Sequence, residues 1–308
     1  MAQSFWMRIG SRGSPLALAQ ARSVRLALAQ AHGVGEDRMP IAAIRTTGDK
    51  IVDRPLAEAG GKGLFTKELD AALLAGEIDC AVHSAKDLPT FLPQGLTIAG
   101  YLTREDPRDA FICAKAARFA DLPRGASLGS ASPRRQALAK RLRPDLNLVL
   151  LRGNVETRLR KVESGEVDAS LLALAGLKRL GLERHATEIL STQGFLPAVG
   201  QGAVAITARA GDEATLAAIA PVLDAPTGAA LAAERAFLAA LDGSCRTPIA
   251  GLATLAGDRL SFRGMVLSLD GSQAWEIAEE GRAEEGQRLG AGAGRDLLSR
   301  LPADLFVA

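Results

Sequence analysis

Ile9-Gly10-Ser11-Arg12-Gly13-Ser14-Pro15 and Ser127-Leu128-Gly129-Ser130-Ala131-Ser132-Pro133 share one grammar. In each, a short apolar run ends at Gly-Ser and a Ser-Pro pair follows. Serine is a favoured helix N-cap, and proline suits the first helical turn, where its missing N–H is no loss. Each stretch therefore predicts a buried strand that feeds a capped helix. Beyond Pro15, Leu16, Leu18, Val24, Leu26 and Leu28 supply an apolar helical face, and Gly33 ends it. A second pair follows in the same order, Gly76-Glu77-Ile78-Asp79-Cys80-Ala81 and Gly165-Glu166-Val167-Asp168-Ala169-Ser170. Here a glycine closes a helix and a buried strand begins. One such echo is weak evidence. Two in the same order predict two doubly wound α/β domains of related topology.

The polar, proline-punctuated segment Thr103 to Arg108 reads as the first crossing between these domains, and Leu196 to Gly202 as the return crossing. Val204-Ala205-Ile206 then rejoins the first sheet as an extra strand. From about Pro226 the texture changes. Thr227 to Leu241 reads as an alanine-rich helix, Ser244 to Pro248 as a tight loop, and Leu260 to Val266 as a strand. Asp270-Gly271 marks a hairpin turn, and Ala274 to Glu279 the returning strand. Gln287 to Leu301 reads as a final helix weakened by Gly290, Gly292 and Gly294. The predicted division is residues 1–102 with 203–222 as the first α/β domain, 103–202 as the second, and 223–308 as a small α+β domain.

Composition narrows the function. The 308 residues are 47% hydrophobic and 23% charged, the balance of a folded globular chain. A formal net charge of +2 and only 4% aromatics argue against a nucleic-acid binder. The three cysteines, Cys80, Cys113 and Cys245, are too sparse for a disulfide framework and read as a reducing compartment. His32, His83 and His185 have no metal-ligand spacing with cysteine or each other, so no metal is expected. No apolar run is long enough to span a bilayer, so no membrane partner is expected.

Chemistry is expected where strands end and helices begin, because that edge of a doubly wound sheet faces its ligand. Arg12 stands beside the first Ser-Pro helix start, and Arg134 and Arg135 stand in the first turn of the second. Arg152 follows the strand Asn147 to Leu151, Arg158 lies one turn into the next helix, and Arg179 near the end of a later one. Cations in a first turn oppose the helix dipole, so Arg134 and Arg135 call for an anion. One arginine alone reads as a solvated surface group; the gathering points to a polyanionic ligand held by guanidinium forks. His83-Ser84-Ala85-Lys86-Asp87 follows an apolar strand into the same crevice. Asp87, a carboxylate among cations, could stabilise a developing cation or exchange protons with it, or simply pair with Lys86. Gly60-Gly61-Lys62-Gly63 lacks the glycine spacing of a phosphate loop and reads as a loop carrying one cation. Cys245, in Gly-Ser-Cys-Arg, has Arg246 beside it to favour thiolate, against the plainer reading of an inert small residue.

Taken together, these segments resemble the porphobilinogen deaminase (hydroxymethylbilane synthase) family. The likeness runs through Ser11 to Ala17, Gly60 to Phe65, His83 to Asp87, Arg104 to Ala110, Arg134-Arg135-Gln136, Leu151 to Val155, Ala175 to Gly181, Val199 to Gly202 and Gly243-Ser244-Cys245. It implies two domains like the lobes of solute-binding proteins, plus a third that carries one covalent dipyrromethane per chain in thioether linkage to Cys245. It implies a transferase that adds four porphobilinogen units to this primer, each with loss of ammonia, before water releases hydroxymethylbilane. Asp87 matches the family's catalytic aspartate. Ser84, Lys86, Asp87, Ser130, Ser132, Arg134, Arg135, Arg152 and Arg158 match positions that hold the primer. Arg12, Ser14, Lys62, Arg152, Arg158, Arg179 and Gln201 match positions that take substrate. Ser130 to Pro133 departs from the family's frequent Thr-Ser-Ser-Leu, Ala85 from a common methionine, and Ser244 from a frequent glycine.

No acidic residue precedes Glu36, as in an organellar transit peptide, but Met7 to Gly10 reads as a strand leading straight into a capped helix. The expectation is a cytoplasmic monomer acting on porphobilinogen. The rival is a two-lobed solute-binding protein without catalysis, which would need neither the third domain, nor Asp87, nor Cys245.

Overall fold

The computed structural model describes residues 5–50, 63–243, 247–302 and 305. The chain divides into two units, Met1–Glu105 with Ala203–Gly228, and Asp106–Gly202 with Ala229–Ala308. In chain order the elements are β1 (Ile9–Arg12), α1 (Pro15–His32), β2 (Ile41–Ile44), α2 (Thr47–Lys50), α3 (Lys67–Leu74), β3 (Cys80–Ser84), β4 (Leu96–Tyr101), β5 (Asp109–Cys113), β6 (Ser127–Gly129), α4 (Pro133–Leu142) and β7 (Asn147–Val149). There follow α5 (Val155–Glu163), β8 (Ala169–Ala173), α6 (Leu174–Arg179), β9 (Glu188–Ile189), β10 (Val204–Arg209), α7 (Glu213–Ile219), α8 (Ala225–Ala240), β11 (Ile249–Ala256), β12 (Arg259–Leu267), β13 (Ala274–Arg282) and α9 (Gly286–Arg300).

The first unit holds a five-stranded sheet in the order β2-β1-β3-β10-β4. β1 runs parallel to β2 and β3, and β10 runs antiparallel to β3 and β4. Val204 to Ile206 thus enters the first sheet as the sequence predicts. Alternate residues of β3 serve opposite faces: Cys80 and Val82 pack with α1 residues Ala21, Val24 and Leu28, while Ala81 packs with Leu69 and Leu73 of α3. A sheet covered on both faces needs apolar residues at every strand position, which is why β3 shows no polar alternation before His83.

The second unit repeats this plan as β7-β6-β8-β5-β9, with β6 parallel to β7 and β8, and β5 antiparallel to β8 and β9. The two sequence echoes are the matching joints of the two sheets. Ser14 caps α1 by accepting from Ala17 N (3.3 Å), and Ser132 caps α4 by accepting from Arg135 N (3.4 Å). A side chain at Gly10 would run into Ile78, and one at Gly129 into Leu151. In the second echo, Asp79 N donates to Arg8 O (2.9 Å) while its carboxylate accepts from Arg8 N (2.7 Å). Asp168 makes the same pair of hydrogen bonds with Ser127, at 3.1 and 2.8 Å. The aspartates so fasten β3 to β1 in the first sheet and β8 to β6 in the second.

Within the second unit, β11, β12 and β13 form an antiparallel sheet. Its residues Ala250, Met265 and Leu267 share a core cluster with Phe111, Leu128 and Leu171 of the second α/β sheet. Gly271 closes the predicted β12–β13 hairpin at φ 72°, and a Cβ there would strike the carbonyl of Ala137 in α4. The sequence reading passes over β2, β4, β5, β9 and β11. β5 is hidden by its opening residue, Asp109, which follows the crossing segment directly and whose burial only the fold explains.

Candidate functional site

In the first unit the parallel strands β1 and β3 end side by side, at Arg12 and Ser84. A concavity of about 50 Å3 opens there, lined by Arg12, Ser14, Leu16, Ala17, Gln20, Phe65, Val82, His83, Ser84 and Asp87. Arg12, Ser14, Ser84 and Asp87 are thus brought together as the sequence predicts. A single 3-10 turn, Ala85–Asp87, carries the chain from β3 to the carboxylate, and Ala85 N donates to Ala203 O at 3.0 Å to fix that turn. Asp87 meets Arg12 in a loose ion pair, Oδ2 to Nη1 3.8 Å, with the two side chains 34% and 21% exposed. The Arg12 guanidinium also lies over the Phe65 ring at 4.1 Å, a cation–π contact that orients its plane. Lys86 is half-buried.

Three lining residues were not singled out from sequence. Gln20 is buried on α1 and exchanges hydrogen bonds with Ser84, donating from Nε2 at 2.9 Å and accepting from Oγ at 3.2 Å. A polar residue on the apolar Ala17-Ala21-Val24-Leu28 face was its signal. His83 is buried with Nε2 3.1 Å from Thr207 Oγ1. Burial, aided by the Arg12 charge, pushes its imidazole down to about 4, so it is neutral at pH 7. Phe65 enters the sequence reading only as the end of the Gly60 to Phe65 stretch.

In the second unit the parallel strands β6, β7 and β8 present the equivalent edge. Ser132 and Asn154 cap α4 and α5, Asn154 by accepting from Thr157 N at 2.8 Å. Ser130 is buried and its Oγ accepts from Ser132 N at 3.2 Å. Arg152 and Arg158 are half-buried beside these helix starts, and Arg158 Nε donates to Gly153 O at 2.8 Å.

Where the sequence reading looks to a polyanionic ligand, the chain itself supplies Arg134 and Arg135 with an anion. Asp109, fully buried, accepts from Arg134 Nη2 (2.7 Å) and from Arg135 Nε and Nη2 (3.0 and 2.7 Å). Arg134 Nη1 also donates to Leu196 O, and Arg135 Nη1 to Leu171 O. Burial lowers the Arg134 guanidinium pKa, with Asp109 pulling it back. Gln201, matched to substrate, is likewise buried; its Nε2 donates to Pro107 O (2.8 Å) and Asp109 Oδ1 (3.0 Å). Arg179 Nη2 donates to Gly202 O at 2.7 Å. Arg134, Arg179 and Gln201 therefore tie down the return segment Leu196 to Gly202, to which the buried Glu234 adds a bond from Gly200 N (2.7 Å).

Lys62 and Cys245, with Ser244 and Arg246, lie outside the described residues. Cys80 and Cys113 are buried and free of disulfide. Among the described residues there is no cluster of metal-ligand side chains, and no single helix is long and apolar enough to cross a membrane.

Comparison with known proteins agrees along the chain. The family described as porphobilinogen deaminase, dipyromethane cofactor binding domain, matches residues 7–217, and the porphobilinogen deaminase C-terminal domain matches residues 229–299. A porphobilinogen deaminase of Nitrobacter hamburgensis is 57% identical over 298 residues, covering 97% of this chain and 94% of that protein. That of Nitrobacter winogradskyi is 56% identical with the same coverage. Among solved structures, a nutrient binding protein from Burkholderia cenocepacia bound to methionine aligns with 70% of this chain and 90% of its own, at TM-score 0.43 and 16% identity. With both family regions matched in order and relatives more than half identical from end to end, the chain belongs to the porphobilinogen deaminase family.

Proposed function

We propose that Asp87 is the catalytic group of the deaminase reaction and that the cations and hydroxyls around it hold pyrrole carboxylates. The family's reaction condenses four porphobilinogen units in turn, each losing ammonia, on a dipyrromethane carried by the enzyme, and ends with release of hydroxymethylbilane. When bound, the dipyrromethane would supply the free pyrrole α-carbon from which the chain starts to grow.

The donor chemistry fits such a group. A pyrrole of this class bears two carboxylates and one N–H, so it needs several cations or hydroxyls for each acceptor. The first-unit concavity offers Arg12, Ser14 and Ser84 around the one carboxylate Asp87. In the second unit Arg152 and Arg158 stand half-buried at capped helix starts, where anions are favoured. These two, with Ser130 and Ser132, are assigned to the primer's carboxylates, and Lys86 to the primer beside Ser84. Arg12 and Ser14 are assigned to incoming substrate. Arg179, Lys62 and Gln201 complete the substrate assignment, Arg179 and Gln201 through the segment they hold. Cys245, on the domain assigned to residues 223–308, is assigned as the thioether anchor.

Asp87 accepts a hydrogen bond from a pyrrole N–H and stabilises the positive charge that develops as ammonia leaves. Arg12, at 3.8 Å, directs that carboxylate while its fork engages substrate carboxylate. Neutral His83 and Gln20 hold the β3 end rigid without adding charge. The reading also takes the enzyme as a cytoplasmic monomer with no nucleic-acid or membrane partner.

The pairing of Asp87 with Arg12 in a hydroxyl-lined concavity carries this reading. Intact-protein mass spectrometry combined with ammonia-release assays tests it. The wild-type mass is expected to exceed the polypeptide mass by one dipyrrole. Asp87→Ala is expected to keep that adduct and lose at least about a hundredfold in ammonia release. Active wild-type protein of unmodified mass, or near-normal release by Asp87→Ala, overturns the assignment.

A further inference from the structure

We propose that Asp109 is a positioning residue of this enzyme, acting through Arg134, Arg135 and Gln201 on the loading of the primer. The inference rests on the proposed function, since it presumes that the α4 amino end faces a carboxylated ligand.

The cluster is built for charge rather than packing. Asp109 opens β5, a strand buried at every position. Among the described residues its carboxylate accepts hydrogen bonds from Arg134 Nη2, from Arg135 Nε and Nη2, and from Gln201 Nε2. A carboxylate so desolvated is stabilised only by such a complete set of partners. Both arginines stand in the first turn of α4, where the dipole repels them. Their placement there requires a compensating anion, and Asp109 is the one the fold provides. In these contacts two guanidinium groups meet one carboxylate, so the cluster keeps a net positive charge. Among the described residues, no acceptor meets Arg134 Nε.

The arrangement does two things at once. It fixes both guanidinium groups, Arg135 by two bonds to Oδ1 and Arg134 by one to Oδ2 with another to Leu196 O, so that little ordering remains when an anion arrives. It also leaves the α4 amino end, capped by Ser132 and next to buried Ser130, attractive to carboxylate. Gln201 links the same carboxylate to Pro107 O and so to both crossing segments. Removing the Asp109 charge leaves two like charges buried together and both forks unanchored.

The test uses the full-length chain with two substitutions, scored by the share of molecules carrying the dipyrrole mass and by cooperative thermal unfolding. Asp109→Asn keeps the size and removes the charge. It is expected to unfold cooperatively, with the loaded share reduced at least about tenfold, as befits a broken buried ion pair. Its residual loaded enzyme is expected to show a raised KM for porphobilinogen and a nearly unchanged kcat. Asp109→Glu keeps the charge and is expected to recover loading well above the Asn variant. Full loading of Asp109→Asn with unchanged KM overturns the proposal, as does equal loss of loading in both folded variants. If only the Glu variant folds, its loading decides in the same direction. If neither folds, the residue serves the fold alone and the positioning role falls. A wild-type protein without adduct would instead defeat the proposed function.

Discussion

Burial settles what Cys80 does. Cys80, fully buried with its thiol 3.7 Å from Met7 Sδ, has its pKa pushed up to about 12 by desolvation. A thiol held protonated is not nucleophilic. Iodoacetamide at pH 8 is therefore expected to leave Cys80 unmodified in the native chain and to modify it only after denaturation; peptide mapping checks this, and native labelling at Cys80 would contradict it. The position of Arg134 and Arg135 at a helix start signalled an anion, and an anion is there, but it is Asp109 of a different strand. Charge pattern along a chain reveals the demand for a counter-ion and leaves its source, internal or external, to the fold.

Helix α9 shows why the same residue type can have opposite meanings within one element. On sequence Gly290, Gly292 and Gly294 weaken a helix alike. In the structure, a Cβ at Gly290 would strike the Ala233 carbonyl and one at Gly294 would meet Ala240 and Phe237, whereas Gly292 faces open space. Gly290 and Gly294 let α9 approach α8 closely, and Gly292 does nothing for packing. Gly292→Ala is expected to stabilise the protein by about 0.5–1 kcal/mol through helix propensity. Gly290→Ala is expected to destabilise it by about 1–3 kcal/mol through overpacking. Denaturant midpoints distinguish the two, and a shift of the same sign in both variants would refute the account. The Ser-Pro starts and Gly closures of α1, α4, α3 and α5 were legible because capping is local. β4, β5 and β9 were not, because each is defined by a neighbour far away in the chain.

Over the whole molecule, acid stability divides into two windows. His83 has a native pKa of about 4 against 6.5 when unfolded. Between these values the unfolded chain binds a proton that the native chain refuses, so stability falls as pH drops from 6.5 to 4, by up to about 3 kcal/mol. Asp168, held down by Lys115 and Ser127, and Asp106, held down by Arg108, lie below the ordinary 3.8. Asp79 is also lowered, its bonds with Arg8 outweighing burial. The stability these three give is complete above 3.8 and is lost only as pH falls through their lower native values. Urea midpoints are expected to decline from pH 6.5 to 4 in the wild type and to flatten there in His83→Gln; a wild-type midpoint constant over that range would remove His83 from the account. At this scale the sequence was most informative, since two local echoes announced two sheets with the same spatial arrangement of parallel and antiparallel strands. The one difference in chain order, β10 coming last in the first sheet where its counterpart β5 comes first in the second, sets a schedule for biosynthesis. The second α/β sheet takes all its strands from residues 109–189, whereas the first must wait for Val204–Arg209 to slot between β3 and β4. On a ribosome delivering the amino end first, the sheet that starts earliest is completed later, and β3 and β4 remain with open edges for roughly as long as it takes to translate the whole of its twin.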